Sequence, residues 1–340
     1  MRYKLLGSSG LRASELVLGT MTFGEDWGWG ASQEESRKIF ERFAEAGGNF
    51  IDTANNYTDG TSERFVGEFA GADRDHFVLA TKYSLTERRD DPNFGGNHRK
   101  NLVRSLEGSL QRLDTDHVDL LWLHMWDGMT PVEEVLRAMD DMVRAGKVLY
   151  VGFSDTPAWV VAQAVTMAQL RGWVRPIAIQ APYSVLDRGV ERDLLPMARQ
   201  NDLAVTVWGM LEGGTLTGKY RAADRGSTRY VGASEKELAA GDAVANLAEE
   251  IGHSPAQVAI NWIRARRARA QIFPIIGART LDQLDDALGC LEFDLTDEQI
   301  ARLDAVAPID LGFPHSFLAS DHVRGLIFGD TYPSIDNHRL

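Results

Sequence analysis

The sequence has a single cysteine, Cys290, in 340 residues. One thiol excludes an internal disulfide and any metal site built from several cysteines, and it is typical of a reducing compartment. Long apolar runs are also missing, because the longest, such as residues 118–123, are far shorter than the roughly 20 residues of a membrane helix. The N-terminal segment MRYKLLGSSG has no apolar signal core. We therefore expect a cytoplasmic protein without a membrane partner.

Basic residues are in the minority. The chain has 36 Lys and Arg against 49 Asp and Glu, which gives a formal net charge of -13. Such a charge repels nucleic acid and anionic membranes, so we expect neither as a partner. An anionic ligand would need a local basic pocket, and individual Arg and Lys residues therefore matter.

No Pro/Ser-rich linker or change of composition divides the chain. We expect one domain over residues 1–340, in which residues 308–340 form a C-terminal tail that serves as a lid or an interface. The tail contains Phe313, Phe317 and Phe328, whose rings are candidates for a wall of the substrate pocket; the alternative, which we expect, is that they dock against the barrel. The sequence does not indicate an oligomeric state.

Short apolar, β-rich runs alternate with helical patterns along most of the chain. This alternation is typical of βα units with a parallel sheet, and eight units predict a (β/α)₈ barrel. An antiparallel hairpin of residues 3–5 and 12–14 is expected to cover its bottom. A doubly wound open sheet is the competing architecture, but no Gly-x-Gly-x-x-Gly follows the first strand. The predicted strands are residues 16–18, 50–52, 77–80, 118–123, 148–152, 177–180, 204–207 and 273–276.

The interval between the seventh and eighth strands is long enough for additional helices. Residues 235–251 and 254–266 both have helical patterns, and one of them is expected to lie outside the regular alternation. Two dipeptides, Thr130-Pro131 and Ser254-Pro255, predict helix starts with proline just inside the cap.

Four titratable residues stand at or just after three successive strands: Asp52, Tyr57, Lys82 and His124. Because reactive groups of a barrel lie at the carboxyl ends of its strands, these side chains should meet at one mouth. Singly, each has an ordinary explanation as a cap, a packing residue or a residue bonded to backbone. Lys82 is the hardest to explain structurally, because a buried ammonium needs a carboxylate partner.

The residues around this set resemble the aldo-keto reductase family. FIDTANNYTDGTSERFVGE resembles its D-T-A-x-x-Y-x-x-G-x-S-E-x-x-x-G signature at every specified position, LATK its lysine strand and DLLWLH its histidine strand. The resemblance runs from about Lys4 to Leu303. It implies a (β/α)₈ barrel and reversible carbonyl reduction with a nicotinamide cofactor, usually NADPH.

Carbonyl reduction gives each of the four residues a physical task. Hydride addition to a carbonyl carbon creates an alkoxide that needs a proton, and Tyr57 is the candidate donor. We expect Lys82 to lower the pKa of Tyr57 and Asp52 to keep Lys82 charged. His124 would donate to or orient the carbonyl oxygen. No metal is required, because there is no His-Glu-x-x-His or comparable ligand spacing.

The resemblance also implies cofactor contacts at the nicotinamide end. Asp155 stands where the family commonly has asparagine, and an ionised carboxylate can accept but cannot donate a hydrogen bond. Trp208 is expected to stack on the nicotinamide, although core packing is its alternative role. The residues implied are Gly19, Thr20 and Met21 under the ribose, Ser154, Asp155 and Gln180 at the carboxamide, Trp208, and Asp52 as a further cofactor contact.

Two further segments resemble the phosphate-binding parts of the family. A glycine-rich loop is expected to close over the pyrophosphate, with Lys219 supplying charge. A helix N-terminus with Arg279 suits a 2′-phosphate, which favours NADPH over NADH unless Arg279 is only a solvated cap residue. Ala287 replaces the usual asparagine, so adenine recognition should differ. The residues implied are Gly209, Met210, Leu211, Gly213 and Lys219 in the loop, and Ile276, Gly277, Arg279, Gln283 and Asp286 at the helix.

Aromatic side chains are expected to form the substrate pocket, which suits a small apolar or sugar-like carbonyl compound. Two alternatives remain at this point. One is a nicotinamide-binding accessory or regulatory subunit of the same fold with little turnover, and the other is a metal-dependent hydrolase using Asp52 and His124. The expected substrate contacts are Phe23, Trp27, Trp29, Tyr57, His124 and Trp126.

Overall fold

In the computed structural model, which describes residues 1–218 and 234–336, eight parallel strands close into a barrel. Each strand pairs with its sequence neighbours, and the last pairs with the first, as the alternating pattern predicts. The barrel strands are β3 (Val17–Gly19), β4 (Phe50–Asp52), β5 (Val78–Tyr83), β6 (Val118–Leu123), β7 (Val148–Ser154), β8 (Ala178–Pro182), β9 (Ala204–Trp208) and β10 (Gln271–Gly277), preceded by β1 (Tyr3–Leu5) and β2 (Arg12–Ser14).

The strands are covered on both faces, which explains why their apolar runs do not alternate with polar residues. All six residues of β6 are buried. One face packs in the barrel interior, where the rings of Phe50 and Phe273 meet edge to face with centroids 6.2 Å apart. The other face packs against the surrounding helices in the larger apolar layer.

The N-terminal hairpin closes the end of the barrel at which the strands begin. β1 and β2 form the predicted antiparallel hairpin, and Leu6, which directly follows β1, is fully buried with the barrel interior. Lys4 Nζ donates to Ile272 O at 3.0 Å, near the start of β10. The hairpin does not cover the opposite end of the barrel, where the strands finish and where the candidate active site lies.

Helices connect the strands and include two between β9 and β10. The helix after Pro131 begins one residue later than predicted: Pro131 itself is the cap, because the hydroxyl of Thr130 donates to Asp127 Oδ2 at 2.7 Å. The helices are α1 (Gln33–Glu45), α2 (Thr61–Ala70), α3 (Arg99–Leu113), α4 (Val132–Arg144), α5 (Ala158–Arg171), α6 (Leu194–Gln200), α7 (Glu235–Ile251), α8 (Pro255–Arg264), α9 (Leu281–Leu288), α10 (Asp297–Asp304), α11 (His315–Leu318) and α12 (Asp321–Phe328). None of these described helices has the length and apolarity to cross a bilayer.

The prediction that the tail phenylalanines dock against the barrel is wrong. Phe313 is 84% and Phe317 55% exposed, and Phe328 is 40% exposed. The rings pack among themselves instead, with Phe313 beside Phe317 and Phe328 stacked on Tyr332. α11 and α12 are too short to cover much of the barrel, so the tail rings stay largely in solvent.

Candidate active site

Three adjacent strands bring the predicted titratable residues to one end of the barrel. Asp52 ends β4, Lys82 lies near the end of β5, and His124 follows β6. The backbone N–H of His124 donates to Tyr83 O at 2.9 Å, which continues the pairing of β5 and β6 past the last residue of β6. The parallel register therefore sets these side chains side by side, as the strand-end pattern predicted.

Lys82 is fully buried and uses all three of its ammonium hydrogens. Nζ donates to Asp52 Oδ2 at 2.5 Å, to Thr53 O at 2.8 Å and to the Tyr57 hydroxyl at 3.1 Å. Burial by itself lowers the pKa of Lys82, but the neighbouring Asp52 and Tyr57 more than offset it, and the pKa lies above its ordinary value. The ammonium is therefore charged at neutral pH.

Tyr57 begins a short 3₁₀ turn, Tyr57–Gly60, in which Thr58 and Asp59 have left-handed backbone angles (φ 44° and 53°). The Thr58 hydroxyl fixes this turn by donating to Phe23 O at 2.6 Å. Burial has the largest effect and raises the pKa of Tyr57 above its ordinary value; Lys82 lowers the pKa, as expected, but not enough to give the net decrease that we expected. The phenol consequently keeps its proton at neutral pH.

His124 faces Tyr57, with ring centroids 5.9 Å apart and the rings nearly perpendicular. The imidazole is buried, which disfavours its charged form, and the Lys82 ammonium repels a second positive charge; the pKa of His124 therefore lies well below 6.5. Nδ1 is buried and meets no hydrogen-bond partner in residues 1–218 and 234–336. A neutral imidazole can donate one hydrogen bond to an oxygen placed between the two rings.

The residues expected to contact a carboxamide lie at the end of β7, directly after it, and on β8. Gln180 Nε2 donates to Asp52 Oδ1 and Thr206 Oγ1, both at 3.2 Å, which connects Gln180 to the carboxylate that pairs with Lys82. Ser154 Oγ is buried without a hydrogen-bond partner in the described chain. A buried hydroxyl of this kind fits a ligand amide, since an unpaired buried polar group is costly.

Asp155 and Trp208 stand beside this hydroxyl. Asp155 has a left-handed backbone (φ 42°), and burial raises the pKa of its carboxyl to about 6 despite a hydrogen bond with Trp208 and the charge of Lys82. Trp208 ends β9 and is 41% exposed. The exposed indole is free to receive a planar ring and is not a core residue, so the residues at this end of the barrel fit a nicotinamide.

The loop after β9 has backbone angles that glycine supplies. Gly209 and Gly213 have φ of 76° and 61°, and Gly209 is exposed, so its backbone is open to a ligand. Met210 is buried and Leu211 half-buried, which anchors the loop to the barrel. Lys219 lies outside the described residues.

The end of β10 leads into α9, where a 2′-phosphate is expected. Arg279 is exposed, and its guanidinium makes no ion pair within the parts of the chain that the structure describes. Its backbone N–H donates to Gln283 Oε1 at 2.9 Å, so Gln283 shapes this turn. Asp286 Oδ1 accepts from Gln257 Nε2 at 3.1 Å. Ile276 is buried and Gly277 exposed, which leaves backbone accessible beside Arg279.

Two residues expected to contact ligands lie inside the protein. Thr20 has no exposed surface, and its hydroxyl donates to Asp52 O at 3.1 Å, so the side chain braces the strand end. Phe23 is also fully buried and packs on Phe69 with centroids 6.3 Å apart. Its assignment to the substrate pocket is therefore wrong in this structure: its ring fills the layer between strands and helices.

The other residues that were expected to contact the ribose or the substrate lie at or near the surface. Met21 is 44% exposed, and Gly19 packs so tightly that an added Cβ would lie 2.6 Å from Ile275 Cγ2. Trp27 and Trp29 are half-buried and pack together with centroids 5.7 Å apart. In the loop after β6, the Trp126 backbone N–H donates to Asp155 O at 3.4 Å.

Sequence patterns did not reveal the residues that hold the His124 loop. Asn97 is fully buried, its Nδ2 donates to Met125 O at 2.7 Å, and its Oδ1 accepts from the Asp127 N–H at 2.7 Å. These residues are about thirty positions apart, and no local motif links them. The fold alone brings them into contact and fixes the position of His124.

A comparison with protein families places this geometry in a known group. The sequence profile of the Aldo/keto reductase family matches residues 15–308, which include Asp52, Tyr57, Lys82 and His124. The chain belongs to the aldo/keto reductase family.

Several relatives with reductase or dehydrogenase names match nearly the whole chain. Norsolorinic acid reductase stcV of Emericella nidulans is 40% identical, over 91% of this chain and 82% of its own length. Putative aryl-alcohol dehydrogenase AAD14 of Saccharomyces cerevisiae is 36% identical, over 92% of this chain and 88% of its own length. Norsolorinic acid reductase A of Aspergillus parasiticus is 38% identical, over 92% and 82% respectively. These relatives agree with an oxidoreductase that acts on carbonyl groups.

Proposed function

We propose that the protein reduces the carbonyl of a small aldehyde, ketone or sugar-derived compound to an alcohol, with NADPH as cofactor and Tyr57 as proton donor. The observation that carries this proposal is the buried chain from Asp52 through Lys82 to the Tyr57 hydroxyl, with contacts of 2.5 and 3.1 Å. A pair of apolar side chains could stabilise the fold at this buried strand end as well as the ion pair does. Stability alone therefore does not explain the ion pair.

The bound nicotinamide would supply the hydride to the carbonyl carbon. Tyr57 gives its proton to the developing alkoxide oxygen, and the Lys82 ammonium at 3.1 Å stabilises the phenolate that remains. Asp52 offsets the ammonium charge and holds it in place. Neutral His124 donates a hydrogen bond to the same oxygen and so orients the carbonyl between the two rings.

The choice of NADPH is supported by Arg279 at the start of α9. An exposed guanidinium beside a helix N-terminus is suited to a phosphate, and NADH has no phosphate at this position. The reductase and aryl-alcohol dehydrogenase names of the relatives make aromatic aldehydes and ketones the first substrates to test. We further propose that the protein acts in the cytoplasm, which the lone buried thiol of Cys290 supports.

The proposal is tested by mixing the purified protein with NADPH and a series of aromatic, aliphatic and sugar-derived carbonyls, and following the absorbance of the reduced nicotinamide. We expect turnover with at least one aromatic carbonyl and slower or no turnover with NADH. Tight NADPH binding with no turnover of any carbonyl would contradict the proposal and support the accessory-subunit alternative. A metal ion found by metal analysis of the purified protein, without turnover of any carbonyl, would support the hydrolase alternative.

A further inference from the structure

A cavity of about 620 Å³ lies between the loops that follow β3, β4 and β5. Trp27 lines it from the first loop, Asn55 and Asn56 from the second, and Thr86 from the third. Asn55 precedes Tyr57 by two residues, and its backbone N–H donates to Lys82 O at 3.3 Å. The cavity therefore adjoins the catalytic side chains.

Asn55 is the unexplained residue of this cavity. It is 2% exposed, yet neither Nδ2 nor Oδ1 finds a hydrogen-bond partner in the described part of the chain. Oδ1 of the neighbouring Asn56 is likewise buried without a partner. Since buried polar groups are normally paired, these two amides are suited to a ligand that can both donate and accept hydrogen bonds.

The charges around the cavity favour a neutral ligand. Four charged side chains line it, and their formal charges cancel: Asp59, Glu87, Arg89 and Arg112. The guanidinium of Arg112 is occupied, because it donates to Glu63 Oε2 at 2.6 Å and to Glu87 Oε1 at 3.2 Å. A phosphate or carboxylate would thus find Arg112 already paired, and the remaining charges of Asp59 and Arg89 cancel, so the cavity has no net attraction for an anion.

Trp27 supplies an apolar surface next to the amides. Its indole Nε1 donates to Asp59 Oδ1 at 3.4 Å, which holds the ring at the cavity wall. An aromatic wall beside polar groups is suited to a ring that carries hydroxyls.

We propose that this cavity binds the hydroxyl-bearing part of a neutral ring compound, with Asn55 and Asn56 bonded to its hydroxyls and Trp27 against the ring. That the carbonyl of the same compound reaches Tyr57 rests on the proposed reductase function, whereas recognition of the hydroxyls does not. A ring without hydroxyls would leave the Asn55 amide buried and unpaired in the complex, which is a strong basis for discrimination.

Binding measurements on the protein alone test the recognition of hydroxyls without any turnover. Isothermal titration compares dihydroxybenzyl alcohol with benzyl alcohol, and inositol is added to separate a phenolic ring from a sugar-like one. We expect one of the hydroxylated rings to bind about tenfold more tightly than benzyl alcohol, as one or two buried hydrogen bonds would give.

The variant Asn55→Ala should reduce this preference to about twofold or less. Its side chain makes no hydrogen bond in the described chain, so its removal breaks no hydrogen bond of the fold. Asn201→Ala, at a position whose amide donates to Met197 O at 2.9 Å far from the cavity, is the matched control and should keep the preference. Asn56→Ala should also reduce the preference for hydroxylated rings, by a smaller factor. If Asn55→Ala does not fold, this second variant tests the proposal.

Equal binding of hydroxylated and plain rings by the parent, or an unchanged preference in both Asn55→Ala and Asn56→Ala, would overturn the inference. The two proposals fail separately. Discrimination in binding without reduction of any carbonyl would refute the reductase function and leave this site standing. Reduction of benzaldehyde and dihydroxybenzaldehyde with equal kcat/KM, together with equal binding, would refute only the site.

Discussion

Replacing Lys82 by methionine should separate what the buried ion pair does for stability from what it does for catalysis. Methionine keeps the length of the side chain but removes the ammonium and its three hydrogen bonds. Asp52, 3% exposed, would then keep the Gln180 amide at 3.2 Å as the only hydrogen-bond donor to its side chain among the described residues. Breaking one partner of a buried pair costs about 3–5 kcal/mol, and we expect Lys82→Met to lower the free energy of unfolding by that amount.

The double variant Asp52→Asn/Lys82→Met removes both charges and should recover most of this stability, because no uncompensated charge remains buried. Its activity should not recover. Without the ammonium, the pKa of Tyr57 rises further and its phenolate loses its partner, so kcat/KM should fall about a thousandfold in both variants.

Urea unfolding followed by circular dichroism gives the free energies, and NADPH oxidation gives kcat/KM. A Lys82→Met protein as stable as the parent would show that the pair is not buried as described. A double variant with parental activity would refute the catalytic role that we assign to the ammonium.

Three further predictions concern single side chains. Burial raises the pKa of the Asp155 carboxyl from 3.8 to about 6, so ionisation of this carboxyl lowers the free energy of unfolding as pH rises through that window. Asp155→Asn should therefore raise the free energy of unfolding above about pH 6 and leave it unchanged below about pH 4. An equal effect at both pH values would contradict the shift. Arg279→Ala should weaken NADPH binding at least about tenfold and leave NADH binding unchanged, as measured by nicotinamide fluorescence, and parallel losses for both cofactors would argue against a phosphate contact. The imidazole of His124, whose pKa lies well below 6.5, should show no titration of its proton resonances between about pH 6 and 8, with His124→Ala used to assign them.

Much of the barrel could be predicted from the sequence, because its strands are buried on both faces and read as short apolar runs. Among the barrel strands, the predictions for residues 50–52 and 118–123 have the observed ends, and the other six differ by one to three residues at one or both ends. The strand-end rule also placed Asp52, Lys82 and His124 together, since a parallel register fixes which residues are neighbours.

The predictions that were wrong concern side chains whose environment is formed by residues distant in the sequence. Phe23 could have lined a pocket or filled the core, and only the packing of α2 against it decides for the core. The sign of the Tyr57 pKa shift depends on how deeply the phenol is buried compared with how close Lys82 lies. The unpaired amide of Asn55 could not be recognised before the neighbouring loops were placed.

The most direct test of the central claim is a comparison of Tyr57→Phe with the parent in a single turnover of bound NADPH. Phenylalanine removes only the hydroxyl at 3.1 Å from Lys82 Nζ, so NADPH should bind with parental affinity. The rate of hydride transfer to an aromatic aldehyde should fall by about a hundredfold to ten-thousandfold, the contribution of a positioned general acid. Parental rates in Tyr57→Phe, with a substrate that the parent reduces, would contradict the assignment of Tyr57 as the proton donor.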